Sequence, residues 1–333
     1  MNQRSESDYG SFRYNLVWII GYIFEKVRFV FSKENWNLLL FLIKKVEKWY
    51  KILIWRVGIE SPFKITIGNH EISVSKKEEF YYLIGYLRLI KSGLNIRNFG
   101  NESISFEFMG KTLTLEFNGI SKREVVGLIQ KFSGVQNWYA KLNVVNKVVV
   151  DIGANIGDTA IFFFLHGAKS VIALEPIPKF YELARRNLSN NCSNAKIVLL
   201  NRAAGKPGRT KIETDAPTIS TALSENIING YDIIVHNLDE LVREYDIKDG
   251  VLKVVCVGCE IDLFNCSSEE AIKAFSQILI IGIYGSRELV TKLKKCGFKT
   301  KILERHYYLF PKNKKRRVIF SVILAEKSIV SMR

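Results

Sequence analysis

Val148-Val149-Val150-Asp151-Ile152-Gly153-Ala154-Asn155-Ile156-Gly157-Asp158 is an apolar run that ends in a glycine-rich turn and enters an apolar helical stretch reaching about Leu165. A short buried strand that feeds a helix through glycines is the opening unit of an α/β fold with a parallel sheet. Gly153 lets the backbone turn and approach a ligand with no Cβ in the way, and Gly157 lets the helix start pack closely. The spacing is G-x-x-x-G rather than G-x-G-x-x-G, so the pyrophosphate-binding pattern is not met. Asp151, at the strand end, is placed to accept a hydrogen bond from an ammonium group.

The alternation continues downstream. Val171 to Leu174 reads as a second strand, Pro178 to Asn190 as a helix and Lys196 to Leu200 as a third strand. Val251 to Cys256 and Gln277 to Tyr284 supply two more apolar strands, and helices are expected on both faces. The end differs: residues 298–308 and 317–325 are extended runs joined by a basic turn at 311–317, which reads as a β-hairpin. About 20 residues after the glycine turn, the second strand closes on Glu175-Pro176, where a carboxylate is placed to take both hydroxyls of a ribose. Together these features point to S-adenosyl-L-methionine rather than NAD.

The same residues carry a family resemblance. VVVDIGANIGDTAIFF, VIALEPIPKFYELARRNLSNN, KIVLLNRAAG, STALSE at 220–225, NLDELV at 237–242 and VLKVVCVGCEIDLF resemble the FkbM-type methyltransferases, a branch of the class I S-adenosylmethionine-dependent fold. The resemblance runs from about 147 to 302. It implies a Rossmann-like, seven-stranded, mostly parallel sheet with a terminal antiparallel β-hairpin, and O-methylation of a hydroxyl on a sugar, glycan or similar small molecule. It further implies that Asp151, Gly153, Asn155 and Gly157 line the methionine end of the cofactor, that Glu175 holds the ribose, and that Asn201 to Ala203 lie near the adenine.

Three carboxylates of the family's active-site edge are missing. The family reads roughly L-K-[hydrophobic]-D-x-E-G-x-E after strand four, where this chain has Leu252-Lys253-Val254-Val255-Cys256-Val257-Gly258-Cys259-Glu260. Val255 and Val257 stand in two acidic positions, and Gly282 stands where strand five usually carries a Glu. Transfer to oxygen requires an aligned hydroxyl and usually a base. The candidates left are Glu260, with Asp262 and Lys253 beside it, whereas His166, His236 and His306 read as packing or surface residues. Two readings stay open: an active O-methyltransferase, and a non-catalytic relative that binds cofactor or a partner subunit. A tRNA methyltransferase is a third, but no proline lies between Pro217 and Pro311, where the motif of base-nitrogen enzymes would fall.

The rest of the 333 residues is less specific. The N-terminal segment 1–60 is basic and helical in pattern, 61–145 reads as a small α+β unit, and 146–333 is the methyltransferase-like domain. The net charge is +16, and Lys44, Lys45, Lys48 and Lys51 interleave with apolar residues at helical spacing. Segment 14–57 is read either as helices packed on protein or as an anchor on an anionic membrane surface, with Trp36, Trp49 and Trp55 at the interface. Its most apolar stretch, Leu16 to Phe24, is far short of the roughly 20 residues a spanning helix needs. No secretory signal is evident, so the expected location is cytoplasmic, with the inner membrane face as the peripheral alternative. Neither basic cluster is interleaved with an RNA-reading motif, so nucleic acid is not an expected partner. The five cysteines are odd in number and read as reduced thiols. Cys256-x-x-Cys259 lacks a second ligand pair, so no metal is expected.

Overall fold

A computed structural model describes residues 40–56, 61–67, 70–134, 137–193, 195–212, 230–256, 258–282, 286–309 and 317–327. Several expectations fall outside them: residues 14–39 with Trp36, the segment 220–225, Val257, Tyr284-Gly285 and the basic turn at 311–316. The chain divides into two compact units, 1–93 and 94–333.

In the first unit, residues 40–45 are helical and the helix breaks before α1 (Tyr50–Arg56), with Lys48 at φ 56° in the break. Strands β1 (Phe63–Ile67) and β2 (His70–Val74) pair antiparallel, and Phe63, Ile65 and Ile67 are buried between exposed Lys64 and Thr66. Such alternation is what a half-buried strand requires. Helix α2 (Lys77–Lys91) starts where the Glu79 carboxylate accepts the Ser75 and Lys76 backbone N–H groups at 2.6 and 3.1 Å. Trp55 is buried and stacks on Phe80 at 5.8 Å between ring centroids. It therefore serves this unit's own core, which corrects the expectation that Trp55 sits at a membrane interface.

The second unit opens with an antiparallel sheet of β3 (Ile96–Phe99), β4 (Ser103–Phe108) and β5 (Lys111–Glu116), followed by α3 (Lys122–Ile129). Ser121 and Glu124 cap α3 reciprocally. Then come β6 (Val148–Ile152), α4 (Asp158–Leu165), β7 (Ser170–Leu174), α5 (Pro178–Cys192) and β8 (Ile197–Leu200). A three-stranded sheet of β9 (Ala203–Ala204), β10 (Gly208–Ile212) and β11 (Tyr231–His236) follows. Its strands are not among those expected from the sequence.

The chain closes with α6 (Leu238–Glu244), β12 (Gly250–Val254), α7 (Glu260–Asn265), α8 (Glu269–Lys273), β13 (Phe275–Gly282), α9 (Ser286–Lys295), β14 (Phe298–Leu309) and β15 (Arg317–Lys327). The main sheet has seven strands in the order β14-β15-β13-β12-β6-β7-β8. Five adjacent strands, β13-β12-β6-β7-β8, run parallel, while β15 pairs antiparallel with both β13 and β14. Every residue of β12 is buried, as a central parallel strand demands. The terminal hairpin is as expected.

The units part at 93/94, inside the span 61–145 that the sequence groups together. Residues 94–145 go with the sheet because α5 offers β5 a substitute strand. Asn187 Oδ1 accepts Glu116 N–H at 2.7 Å and its Nδ2 donates to Glu116 O at 3.0 Å. Asn191 repeats the pattern on Thr114, at 2.8 Å in both directions. An aromatic group of Phe106, Phe108, Phe132, Tyr139, Phe162 and Phe163 packs this region against α4 as well.

Candidate functional site

Strand order reverses between β6 and β12, so the loops at their carboxyl ends diverge and leave a crevice, the usual ligand position in such sheets. A cleft of about 870 Å³, partly open to solvent, lies there. The glycine turn forms one side. Gly153 has φ 76°, and a Cβ on it would stand 1.9 Å from Val255 O, so no other residue fits without moving β12's exit. Gly157, at φ 82°, starts α4 against Ala184 and does not itself line the cleft.

Glu175 lines the cleft at the end of β7 and is buried. Its carboxylate accepts Asn155 N–H at 2.8 Å and Ile177 N–H at 2.9 Å. Burial pushes its pKa up to about 7, against the downward pull of those two amides and of Lys253. Asn201, expected at the adenine, instead donates to the backbone carbonyls of Glu175 and Pro176, both at 3.0 Å. It holds the carboxylate's strand end and does not line the cleft, whereas Ala203 does. Ile177, Phe180, Ala203 and Ile212 give this end an apolar surface.

The opposite end is charged. Asp151 is fully buried, 2.7 Å from Lys253 Nζ, and accepts the Thr159 hydroxyl at 2.5 Å. Its charge is thus matched by this chain's own ammonium, and it does not line the cleft, which corrects its expected role as a ligand contact. Lys253 also donates to Ile152 O and Gly153 O, at 3.1 and 2.6 Å, which makes it the cation under the glycine turn. Lys131 and Asp158 form a buried ion pair that lines the cleft, with Tyr139 beside them. Burial and the Lys253 ammonium lower the Lys131 pKa, with Asp151 opposing. Burial and the Asp151 charge raise that of Tyr139.

Glu260 is buried beside the cleft and does not line it. Its Oε2 accepts Gly258 N–H at 2.8 Å, and its Oε1 has no hydrogen-bond partner among the described residues. Its carboxyl carbon lies 3.5 Å from where a Cβ on Gly282 would be, so the missing side chain at 282 is space that Glu260 uses. Val255 lines the cleft where a carboxylate was looked for. Cys256 and Cys259 also line it, joined in a disulfide, which corrects the reading of all cysteines as reduced thiols. β12 ends at Val254 rather than Cys256, and the chain turns at once, bringing the two Cα atoms to 5.6 Å. Cys192, Cys266 and Cys296 are free. His166 stacks on Phe162, consistent with a packing role, and His236 sits 3.6 Å from Glu240; the His306 side chain lies outside the description.

Sequence reasoning missed Lys131, Tyr139, Asp158 and Thr159. The last two follow the glycine turn directly and were within reach of it; Lys131 and Tyr139 belong to no motif.

A partly open cleft with an apolar slot at one end, a carboxylate beside it and paired charges at the other end suits a ligand with a flat ring, a diol and a zwitterion. Residues 151–300 match the family described as methyltransferase FkbM domain. No curated protein sequence matches the chain. Among solved structures, the precorrin-6y C5,15-methyltransferase of Geobacter metallireducens is 16% identical, with 64% of this chain and 92% of that chain covered and a TM-score of 0.35. The M. jannaschii tRNA m1G37 methyltransferase is 16% identical over 69% of this chain and 59% of that one, with a TM-score of 0.37. M. capricolum TrmK, solved with S-adenosyl-homocysteine, is 13% identical over 58% and 67%, with a TM-score of 0.34. Likenesses this distant say nothing of the substrate.

Proposed function

Residues 151–300 of this chain match the methyltransferase FkbM domain family, and on that premise we propose that the protein transfers a methyl group from S-adenosylmethionine to a hydroxyl oxygen of a sugar, glycan or comparable small molecule. The observation that carries the cofactor half is Glu175, a buried carboxylate that lines the cleft beside the glycine turn, held by Asn155 N–H, with an apolar slot next to it. S-adenosylmethionine, when bound, supplies an electrophilic methyl group on a sulfonium. Glu175 takes the ribose hydroxyls, while Ile177, Phe180, Ala203 and Ile212 cover the adenine. Asn155, Asp158 and Lys131 hold the amino-acid end. Asp151 acts one layer below and Lys253 at the cleft wall, where their ion pair keeps the Gly153 turn in place.

Val255 cannot take a proton and Lys253 has its N–H groups engaged, so transfer rests on holding the acceptor hydroxyl in line. Glu260, buried beside the cleft, keeps an Oε1 with no hydrogen-bond partner among the described residues, which gives it the free lone pairs that a proton acceptor needs.

Calorimetry with S-adenosylhomocysteine tests the cofactor half. Wild type should bind in the micromolar range, and Glu175→Ala should lose roughly 100-fold through two charge-assisted hydrogen bonds. Wild-type protein that is folded and does not bind would end the proposal. An acceptor screen over glycans and lipid-linked sugars then tests the transfer.

Val255 favours a second reading, a protein that binds cofactor or a partner subunit without transfer. If Val255→Asp gains activity that wild type lacks, that reading is the right one. We propose in addition that the N-terminal segment meets an anionic membrane surface, because Leu40, Ile43 and Ile54 are exposed among Lys44, Lys45 and Lys48. Among the described residues no helix is long and apolar enough to cross a membrane.

A further inference from the structure

We propose that Cys256 and Cys259 form a thiol–disulfide exchange site for small or protein-borne dithiols, and that its state sets the affinity of the adjoining cleft. The pair stands at the exit of β12, where both residues line the cleft and Cys256 is only half-buried, so an attacking thiolate can reach it. A structural disulfide in a protein core has no such access.

The coupling is geometric. Val255, the residue before the pair, donates its N–H to Ile152 O at 3.0 Å, and its carbonyl lies against the Gly153 turn. On the far side, Gly258 N–H is held by the Glu260 carboxylate at 2.8 Å. The disulfide thus closes a short ring of chain that is tied to the glycine turn at one end and to α7 at the other. Opening it frees the residues that press on Gly153, the same backbone that the proposed cofactor must approach. Oxidised protein should bind more tightly than reduced protein.

The exchange balances in thiols alone. A dithiol's first thiolate attacks Cys256 Sγ, the S–S bond breaks, and Cys259 leaves as a thiolate that takes a proton. The dithiol's second sulfur attacks the mixed disulfide and expels Cys256, which is protonated in turn. Two electrons pass to the protein and the reductant becomes a disulfide. A small disulfide such as oxidised glutathione runs the reaction backwards.

Three measurements on the full-length folded protein test this. Treatment with dithiothreitol, alkylation and mass spectrometry should show Cys256 and Cys259 converted together under native conditions. Hydrogen exchange should then quicken at 153–157 and 255–260, an effect that needs no ligand. Calorimetry with S-adenosylhomocysteine should show affinity at least about fivefold weaker in the reduced protein, the low end of site-to-site coupling. The Cys256→Ser/Cys259→Ser variant should behave as the reduced form whatever the redox buffer. A pair that resists native reduction, or unchanged exchange at 153–157, overturns the proposal, and so does equal or tighter binding by the reduced form. The ligand arm rests on the cofactor reading: no binding by either form, with exchange still redox-dependent, sinks that reading and leaves the exchange site standing.

Discussion

Glu175 has a folded-state pKa near 7 against an ordinary value of 4.5, so between those limits the native state holds a proton that the unfolded chain has released. Its contribution to stability is fully present below about pH 4.5 and is lost as pH rises through 7, by roughly 3 kcal/mol in all. Glu175→Gln removes the titration. The difference in unfolding free energy between wild type and variant should therefore fall by about that amount from pH 4.5 to 7.5, as followed by denaturant titration. Lys131 and Asp158 obey different physics, since each is buried and is matched by the other. Lys131→Met strands Asp158 and should cost about 3 kcal/mol, while the double variant Lys131→Met/Asp158→Leu should recover most of it. A double-mutant cycle with no coupling would show that the pair is not formed in solution.

At the scale of elements, the junction between β5 and α5 is polar and specific. Asn187 is fully buried and bonds Glu116 N–H, Glu116 O and Ile156 O at 2.7, 3.0 and 2.9 Å. Asn187→Ala leaves these backbone groups without partners and should destabilise the protein by about 3 kcal/mol. Hydrogen exchange at Thr114 and Glu116 should accelerate more than at β6, because the loss is local to β5's edge. The aromatic seam between this sheet and α4 has the opposite character, and Phe162→Ala should cost about 3–5 kcal/mol through the cavity it leaves. Both elements matter to the site, since Lys131 and Tyr139 come from the chain between β5 and β6.

For the whole molecule, the cleft is built between residues 128 and 259 and thus wholly within the second unit. Exposed Leu40, Ile43, Tyr50 and Ile54 lie in the N-terminal segment among Lys44, Lys45, Lys48 and Lys51. If that segment meets anionic lipid, deleting residues 1–60 should abolish co-sedimentation with phosphatidylserine vesicles. It should leave S-adenosylhomocysteine affinity within about twofold. Co-sedimentation that survives the deletion would assign the charge another purpose.

The parallel sheet, the glycine turn, Glu175 and the terminal hairpin were legible in the sequence because each is written in contiguous residues. Apolar runs of strand length, glycines where φ turns positive and an acidic residue closing the next strand are local signals. Nothing local marks Lys131 and Tyr139, which reach the cleft only because α5's asparagines and the aromatic seam fold residues 94–145 onto the sheet. Asp151 was correctly placed at a strand end, but its partner Lys253 lies on a neighbouring strand, and that pairing converts a presumed ligand contact into a support. The disulfide needed the point at which β12 stops, a choice made by its buried neighbours rather than by its own residues. Patterns along the chain specify elements, while charge matching and thiol pairing depend on distances that exist only once those elements have packed.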